Sequence, residues 1–235
     1  MSVSVVRNAP WVVAWDETNA EHVYLRDADV AFEDGTICHI GGRYEGDVAE
    51  VIDGHNRLVI PGLINIHTHP TSEPLRKGLT DETRSPNFWH SSLYEFLPVF
   101  ANDLDGAIAG IQVAMAELLM SGVTTVADLS IPFDGWLDAL ANSGMRAVAA
   151  PIFRDARWFV ADGKRIDYDW DEVAGREAFA EARRIIELAR QHPSGRLSGM
   201  VCPAQVDTCT AGLIRDASEY AQERQLPFQI HAAQS

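Results

Sequence analysis

The sequence predicts a mostly parallel α/β sheet preceded by a small all-β unit, and three features carry that expectation. Short β-branched runs broken by turn signals crowd residues 1 to 57. From Leu58 onward, apolar strands alternate with longer helical stretches about five times, as repeated β/α units do. Finally, His67 and His69 close the first of these later strands and His231 closes the last.

Composition sets the bounds. A chain of 235 residues with 46% hydrophobic content can bury a full core as one large domain or two small ones. Lys and Arg number 19 against 34 Asp and Glu, a formal net charge of -15. That charge opposes binding to a phosphate backbone or an anionic membrane, so neither nucleic acid nor membrane is expected as a partner. The three cysteines, Cys38, Cys202 and Cys209, are an odd number without a pairing pattern, which suits a reducing, cytoplasmic compartment. The apolar run Trp11 to Trp15 is too short for a secretion signal, and nothing approaches the length of a membrane span.

In the first unit, strands are expected over Val3 to Val6, Val23 to Phe32 and Thr36 to Ile40. Glu33-Asp34-Gly35 is the hairpin turn between the latter two, and Asp53-Gly54 marks another turn. His22, His39 and His55 lie among polar residues and read as surface histidines. The domain boundary is placed between residues 57 and 58.

The α/β part opens with Leu58 to Pro70, an apolar run containing Pro61-Gly62 and ending in His67-Thr68-His69. A long polar and aromatic segment follows, from Thr71 to Phe100, bearing Trp89, His90 and Tyr94. Asn102 or Asp103 caps a helix whose Ile108, Ile111, Met115, Leu118 and Leu119 recur at helical spacing, with Gly122 at its end. Val123 to Leu129 is a strand, Pro132 to Ser143 a helix stopped by Gly144, and Arg146 to Phe153 the next strand. Asp171 to His192 is an amphipathic helix closed by Pro193. Leu197 to Pro203 is a strand, Thr210 caps a helix to about Gln225, and Phe228 to Ile230 leads into His231.

Side chains alternate across a strand, so His67 and His69 share one face and can reach one ion. Neutral imidazole is the commonest protein ligand for zinc and related divalent metals. In parallel α/β architectures chemistry gathers at the carboxyl ends of the strands, where His231 joins the pair. An open doubly wound sheet and a closed barrel both accommodate the β/α pattern. A barrel brings its first and fifth strands around a common mouth, so the histidines favour it.

These residues resemble a known family. Asp53-Gly54, Leu58-Val59-Ile60-Pro61-Gly62-Leu63-Ile64-Asn65 and His67-Thr68-His69 are similar to the opening signature of the amidohydrolase superfamily. Ser121 to Asp128 and Ile230-His231-Ala232-Ala233-Gln234 are similar to its deaminase and chlorohydrolase branch. The resemblance implies a metal-dependent (β/α)8 TIM barrel attached to a small β-sandwich, with residues 1–57 belonging to the sandwich and 58–235 to the barrel. It further implies that His67, His69 and His231 ligate one divalent ion, zinc in the first place and iron in the second. Binuclear relatives use a Lys at the end of strand four, and Leu197 to Thr208 contains none. The Pro-Cys-x-x-Cys ligand pair of other zinc deaminases is likewise not matched by Cys202-Pro203 and Cys209.

The implied activity is hydrolysis, by metal-activated water, of a C–N or C–halogen bond in a small, cyclic, nitrogen-containing substrate. Where the deaminase branch carries a Glu three residues after the strand-five histidine, this chain has Gln234. An amide can orient substrate or water and cannot carry a proton as a carboxylate does. The alternative reading is therefore a non-catalytic or altered-chemistry relative that binds a metal or ligand. Trp89, His90 and Tyr94 in the long loop, and Gln205 near a strand end, are candidate substrate-binding residues. Asn65 shares the histidine face, while Asp128, Arg154 and Asp155 lie at or just past strand ends. Residues 58–235 hold about five of the eight units of such a barrel. An N-terminal piece of a longer chain, completion by further chain, or a homo-oligomer is expected.

Overall fold

A computed structural model of the protein describes residues 2–77, 103–161 and 165–233. The chain divides into two compact units, Met1–Gly62 and Leu63–Ser235.

The first unit is a sheet of β1 (Ser4–Asp16), β2 (Glu21–Glu33), β3 (Thr36–Gly41), β4 (Glu50–Asp53) and β5 (Leu58–Val59). Its order is β3-β2-β1-β4, with β5 also paired to β1. The β1/β2 and β2/β3 pairs are antiparallel, whereas β4 and β5 run parallel to β1. Asp34 and Gly35 both take positive φ, 48° and 76°, the conformation that a two-residue hairpin demands and an Asp-Gly pair tolerates. Ala9, Val12, Ala28 and Val30 form the small buried core. Beside it Asp29, 2% exposed, accepts hydrogen bonds from the Asn8 and Tyr44 amides and from Arg7 Nη1, each at 2.9 Å.

Leu58 to Pro70 is divided between the two units. Leu58 and Val59 pair with Trp11 and Val12, so they finish the first sheet. Pro61 has no N–H to continue a ladder, and the next strand, β6 (Leu63–Thr68), opens the second sheet. The boundary therefore falls after Gly62, later than the 57/58 division expected from the turn signals.

In the second unit β6 is followed by the short α1 (Glu73–Arg76), α2 (Leu104–Met120), β7 (Val123–Ser130), α3 (Trp136–Asn142) and β8 (Arg146–Phe153). The hairpin β9 (Ala156–Val160) and β10 (Ile166–Trp170) comes next, then α4 (Glu172–Arg190), β11 (Leu197–Gly199), β12 (Cys202–Pro203) and α5 (Ala211–Glu223). The sheet order is β11-β8-β7-β6, with β12 also on β8, and every pairing is parallel. The caps follow the sequence: Asp103, Asp171 and Thr210 accept from the amides of Gly106, of Val173 and Ala174, and of Leu213.

Three expectations are corrected. The helix expected from Pro132 begins at Trp136, because Gly135 at φ 83° breaks helical geometry before it. Leu197 to Pro203 is interrupted into β11 and β12, both on β8. The β9/β10 hairpin has no counterpart among the strands expected from the sequence. Phe228 to His231 joins the sheet through single bridges, Val201 with Phe228 and Gln205 with His231.

Both faces of the central strands β7 and β8 are largely buried, which is why they read as nearly unbroken apolar runs. On one face Val126, Ala147 and Ala149 pack under Ile111, Met115, Trp136, Leu140 and Ile185 of the helices. On the other, Ala127, Leu129, Ala150, Met200 and Cys202 pack together. β6 forms the outer edge, and its Ile64 and Ile66 are 65% and 68% exposed. Gly110 of α2 sits against the backbone that follows β6: a Cβ there would lie 2.9 Å from the Thr71 carbonyl oxygen and 3.0 Å from that of Pro70.

Candidate metal centre

The structure gathers His67, His69 and His231 as their strand-end positions predict. One ligand nitrogen from each lies within 4.8 Å of the others. The His67 ring stands edge-on to both partners, at centroid distances of 5.0 Å to His69 and 4.9 Å to His231, while His69 and His231 are nearly parallel.

Two of the rings are fixed by backbone carbonyls. His69 Nδ1 donates to the Leu129 oxygen at 2.7 Å, and His231 Nδ1 donates to the Ala204 oxygen at 2.5 Å. Each ring thus keeps its proton on Nδ1 and presents the Nε2 lone pair, and the two Nε2 atoms stand 3.3 Å apart. Facing lone pairs repel each other unless a cation lies between them. Two imidazole nitrogens about 2.0–2.1 Å from one tetrahedral ion are themselves about 3.3 Å apart, so the observed spacing fits a shared metal.

The electrostatics favour the same state. Burial, with smaller contributions from the neighbouring histidines, pushes His69 down to about 4 even though its bond to Leu129 opposes the shift. Burial and then His231 also lower His67. Neutral imidazoles, the ligand form, are therefore favoured at neutral pH.

The backbone around His69 is held from several sides. The Ser72 and Glu73 amides donate to its carbonyl, each at 3.0 Å. The Glu73 carboxylate accepts from Thr68 Oγ1 at 3.1 Å and from the His69 amide at 3.5 Å. Asn65 turns its side chain back on its own strand, accepting from the His67 amide at 3.0 Å. Glu73 and the two carbonyls are not legible in the sequence; Glu73 lies in a segment with no recognised motif, and a backbone carbonyl has no side-chain signature.

Among the other candidates, Gln205 is 7% exposed and bridges to His231, which places it beside the cluster. Asp155 is structural: it is 3% exposed, accepts from the Thr210 amide and hydroxyl, and so holds the start of α5. Arg154 is partly buried, and burial lowers its pKa. Trp89, His90, Tyr94 and Gln234 lie outside the described residues. The cysteines are free, and burial pushes the Cys202 thiol up to about 12, so it is no thiolate ligand at neutral pH.

A parallel α/β unit with three histidines converging at the carboxyl ends of its strands defines a class of site, and the sequence match gives it a family. Residues 58–235 match the amidohydrolase family, and the chain belongs to it. A 5′-deoxyadenosine deaminase of Methanosarcina barkeri is 25% identical over 232 residues, 98% of this chain and 49% of that protein. A 5-methylthioadenosine/S-adenosylhomocysteine deaminase of Bacillus cereus is 26% identical over 224 residues, 92% of this chain and 48% of that protein. The chain thus spans about half the length of the curated relatives it matches.

Among solved structures, an atrazine chlorohydrolase from Arthrobacter aurescens TC1 complexed with zinc superimposes with a TM-score of 0.73 at 21% identity, covering 97% of this chain and 52% of that one. Guanine deaminase from C. acetobutylicum with bound guanine gives a TM-score of 0.67 at 18% identity, over 98% and 53%. The shared fold is of the TIM-barrel type. No described helix is long and apolar enough to cross a membrane.

Proposed function

We propose that the chain forms the metal-binding part of a hydrolase acting on a C–N or C–halogen bond of a small, cyclic, nitrogen-containing molecule. The observation that carries the proposal is the 3.3 Å approach of the His69 and His231 Nε2 atoms, with both Nδ1 atoms already committed to carbonyls. His67, His69 and His231 would hold one divalent ion, with zinc the first choice and iron the second. Such an ion lowers the pKa of a water and so provides a nucleophile near neutral pH.

The residues of this chain do the rest. The carbonyls of Leu129 and Ala204 keep each proton on Nδ1 and the ligand nitrogens aimed inward. Gln205, beside His231, and Gln234, three residues beyond it, are assigned to orienting substrate or water, and Trp89, His90 and Tyr94 to stacking on a planar ring. Parallel β/α units, a β6 edge that is unpaired among the described residues and bears exposed Ile64 and Ile66, and the match to barrel enzymes support reading residues 63–235 as part of a (β/α)8 barrel. The first unit is then one layer of a β-sandwich. Cover for the β6 edge would come from further barrel strands or from a second copy of the chain. Free cysteines are consistent with a cytoplasmic setting.

Gln234 favours a second reading, a binding protein or an enzyme of altered chemistry, since an amide cannot relay protons. The test is zinc content together with a screen for release of ammonia, amine or halide from purines, their nucleosides and halogenated triazines. Zinc bound at one per chain with turnover that vanishes in His231→Ala supports the hydrolase. Zinc binding without turnover on any of them, unchanged by Gln234→Glu, favours the binding protein. Absence of affinity for both zinc and ferrous iron would sink the metal-dependent hydrolase.

A further inference from the structure

We infer that Asp128 is a positioning residue for the metal centre, bracing the carboxyl end of β7 so that the Leu129 carbonyl meets the His69 ring. The inference rests on the metal-site reading above. Asp128 is 0% exposed, and both carboxyl oxygens are engaged. Oδ1 accepts from Ser130 Oγ at 2.5 Å and Oδ2 from Trp136 Nε1 at 2.7 Å. Among the described residues no Lys, Arg or His pairs with it as an ion pair. A buried carboxyl group served only by neutral donors is an expensive way to fill a core, so packing alone does not account for it.

The geometry supplies a different account. Asp128 lies on the helix-covered face of β7 with Val126, while its neighbour Leu129 packs on the opposite face with Ala127 and Ala150. The two bonds tie Asp128 forward to Ser130 and across the connection to the first residue of α3. They close a loop of backbone around Leu129, whose carbonyl oxygen receives His69 Nδ1 at 2.7 Å. Ser130 Oγ also lies 3.4 Å from Thr71 Oγ1, which links the brace to the segment just after His69. Asp128 therefore acts from behind the sheet: it never faces the ion, and it fixes the group that sets the tautomer and the direction of a ligand.

The experiment compares zinc affinity, by competition with a chromophoric chelator, for the full chain and for Asp128→Asn, Asp128→Ala, Ser130→Ala and Asp155→Asn. Absorption of the cobalt-substituted proteins reports ligand geometry, and thermal unfolding of the metal-free proteins reports stability. Outer partners of ligating histidines change affinity by about 10–100-fold. The expectation is a loss in that range for Asp128→Ala, a smaller one for Asp128→Asn and Ser130→Ala, and an altered cobalt band in each. Asp155→Asn, which disturbs another buried carboxyl, one bonded to Thr210 and to neither Leu129 nor a histidine, should lower the melting temperature and leave affinity and spectrum unchanged.

If wild type binds zinc and the Asp128 variants bind it equally well with the same cobalt band, the positioning role is overturned while the metal site stands. A loss of affinity in Asp155→Asn as large as that in Asp128→Asn overturns the positioning role as well. A wild-type chain with affinity for neither zinc nor ferrous iron overturns the metal site itself. Should Asp128→Ala fail to fold, the nearly isosteric Asp128→Asn and the Ser130→Ala variant carry the comparison.

Discussion

The N-terminal sheet buries Asp29 and the parallel α/β unit buries Asp128, and the two surroundings push the carboxyl groups in opposite directions. Burial alone would raise both. At Asp29 the Tyr44 and Asn8 amides, followed by the Arg7 guanidinium, outweigh burial and hold the carboxyl below its usual range. At Asp128 burial prevails over the Ser130 and Trp136 donors, with a small push from Glu73, and the group rises to about 7. A charged, paired carboxylate is the economical way to tie strands and loops together. An unpaired one is tolerated where its hydrogen bonds hold something else in place, here the Leu129 carbonyl that receives His69 Nδ1.

Breaking each side of this contrast has a distinct consequence. The largest effect is expected for Asp29→Ala, which leaves Arg7, only 17% exposed, without its partner. Loss of one member of a buried pair costs about 3–5 kcal/mol. Denaturant unfolding should show that loss in the N-terminal unit, with zinc affinity unchanged; a drop in zinc affinity would mean that the two units do not behave separately. Next comes His231→Ala, which removes one of the three proposed ligands and should weaken zinc binding by more than about 100-fold, or about 3 kcal/mol, by the same competition measurement.

The third prediction concerns pH. His69 titrates near 6.5 when unfolded and about 4 when folded, so its contribution is present above 6.5 and is lost as pH falls through that window. Asp128 runs the other way: its folded value of about 7 exceeds the ordinary 3.8, so its contribution is present below 3.8 and is lost as pH rises toward 7. In metal-free wild type the two slopes oppose each other. Asp128→Asn removes one, and its stability should climb by roughly 2 kcal/mol between pH 4 and 6.5 while wild type changes less. Superimposable pH profiles for the two proteins would contradict that assignment. The smallest effect is expected for Gly110→Ala, whose methyl would press on the Pro70 and Thr71 carbonyls. About 1–2 kcal/mol of stability should be lost, as for other small overpacking changes, and thermal unfolding would register it.

Much of the site was legible because its signals are local. Period-two alternation put His67 and His69 on one face, and capping residues and glycines punctuated the helices at Asp103, Gly122, Asp171 and Thr210. The signals failed where pairing over a distance decided the outcome. Leu58 and Val59 look continuous with Leu63 to Thr68, yet they belong to another sheet because Trp11 and Val12 offer them an edge. The β9/β10 hairpin is likewise settled by pairing: Ile166–Trp170 alternates apolar and acidic residues, but Ala156–Val160 shows no such alternation of residue types, and each strand exists through the other.

By itself, then, the sequence determined which groups could meet: three imidazoles at strand ends, in a chain with a formal net charge of -15. Tertiary structure decided how those imidazoles are held. The Leu129 carbonyl lies 60 residues from His69 and that of Ala204 lies 27 from His231. Every residue carries the same carbonyl, so nothing in the side-chain pattern singles out the two that matter. Asp128 is written plainly in the sequence, but its service to His69 exists only once β7 lies beside β6 and Trp136 folds back over it.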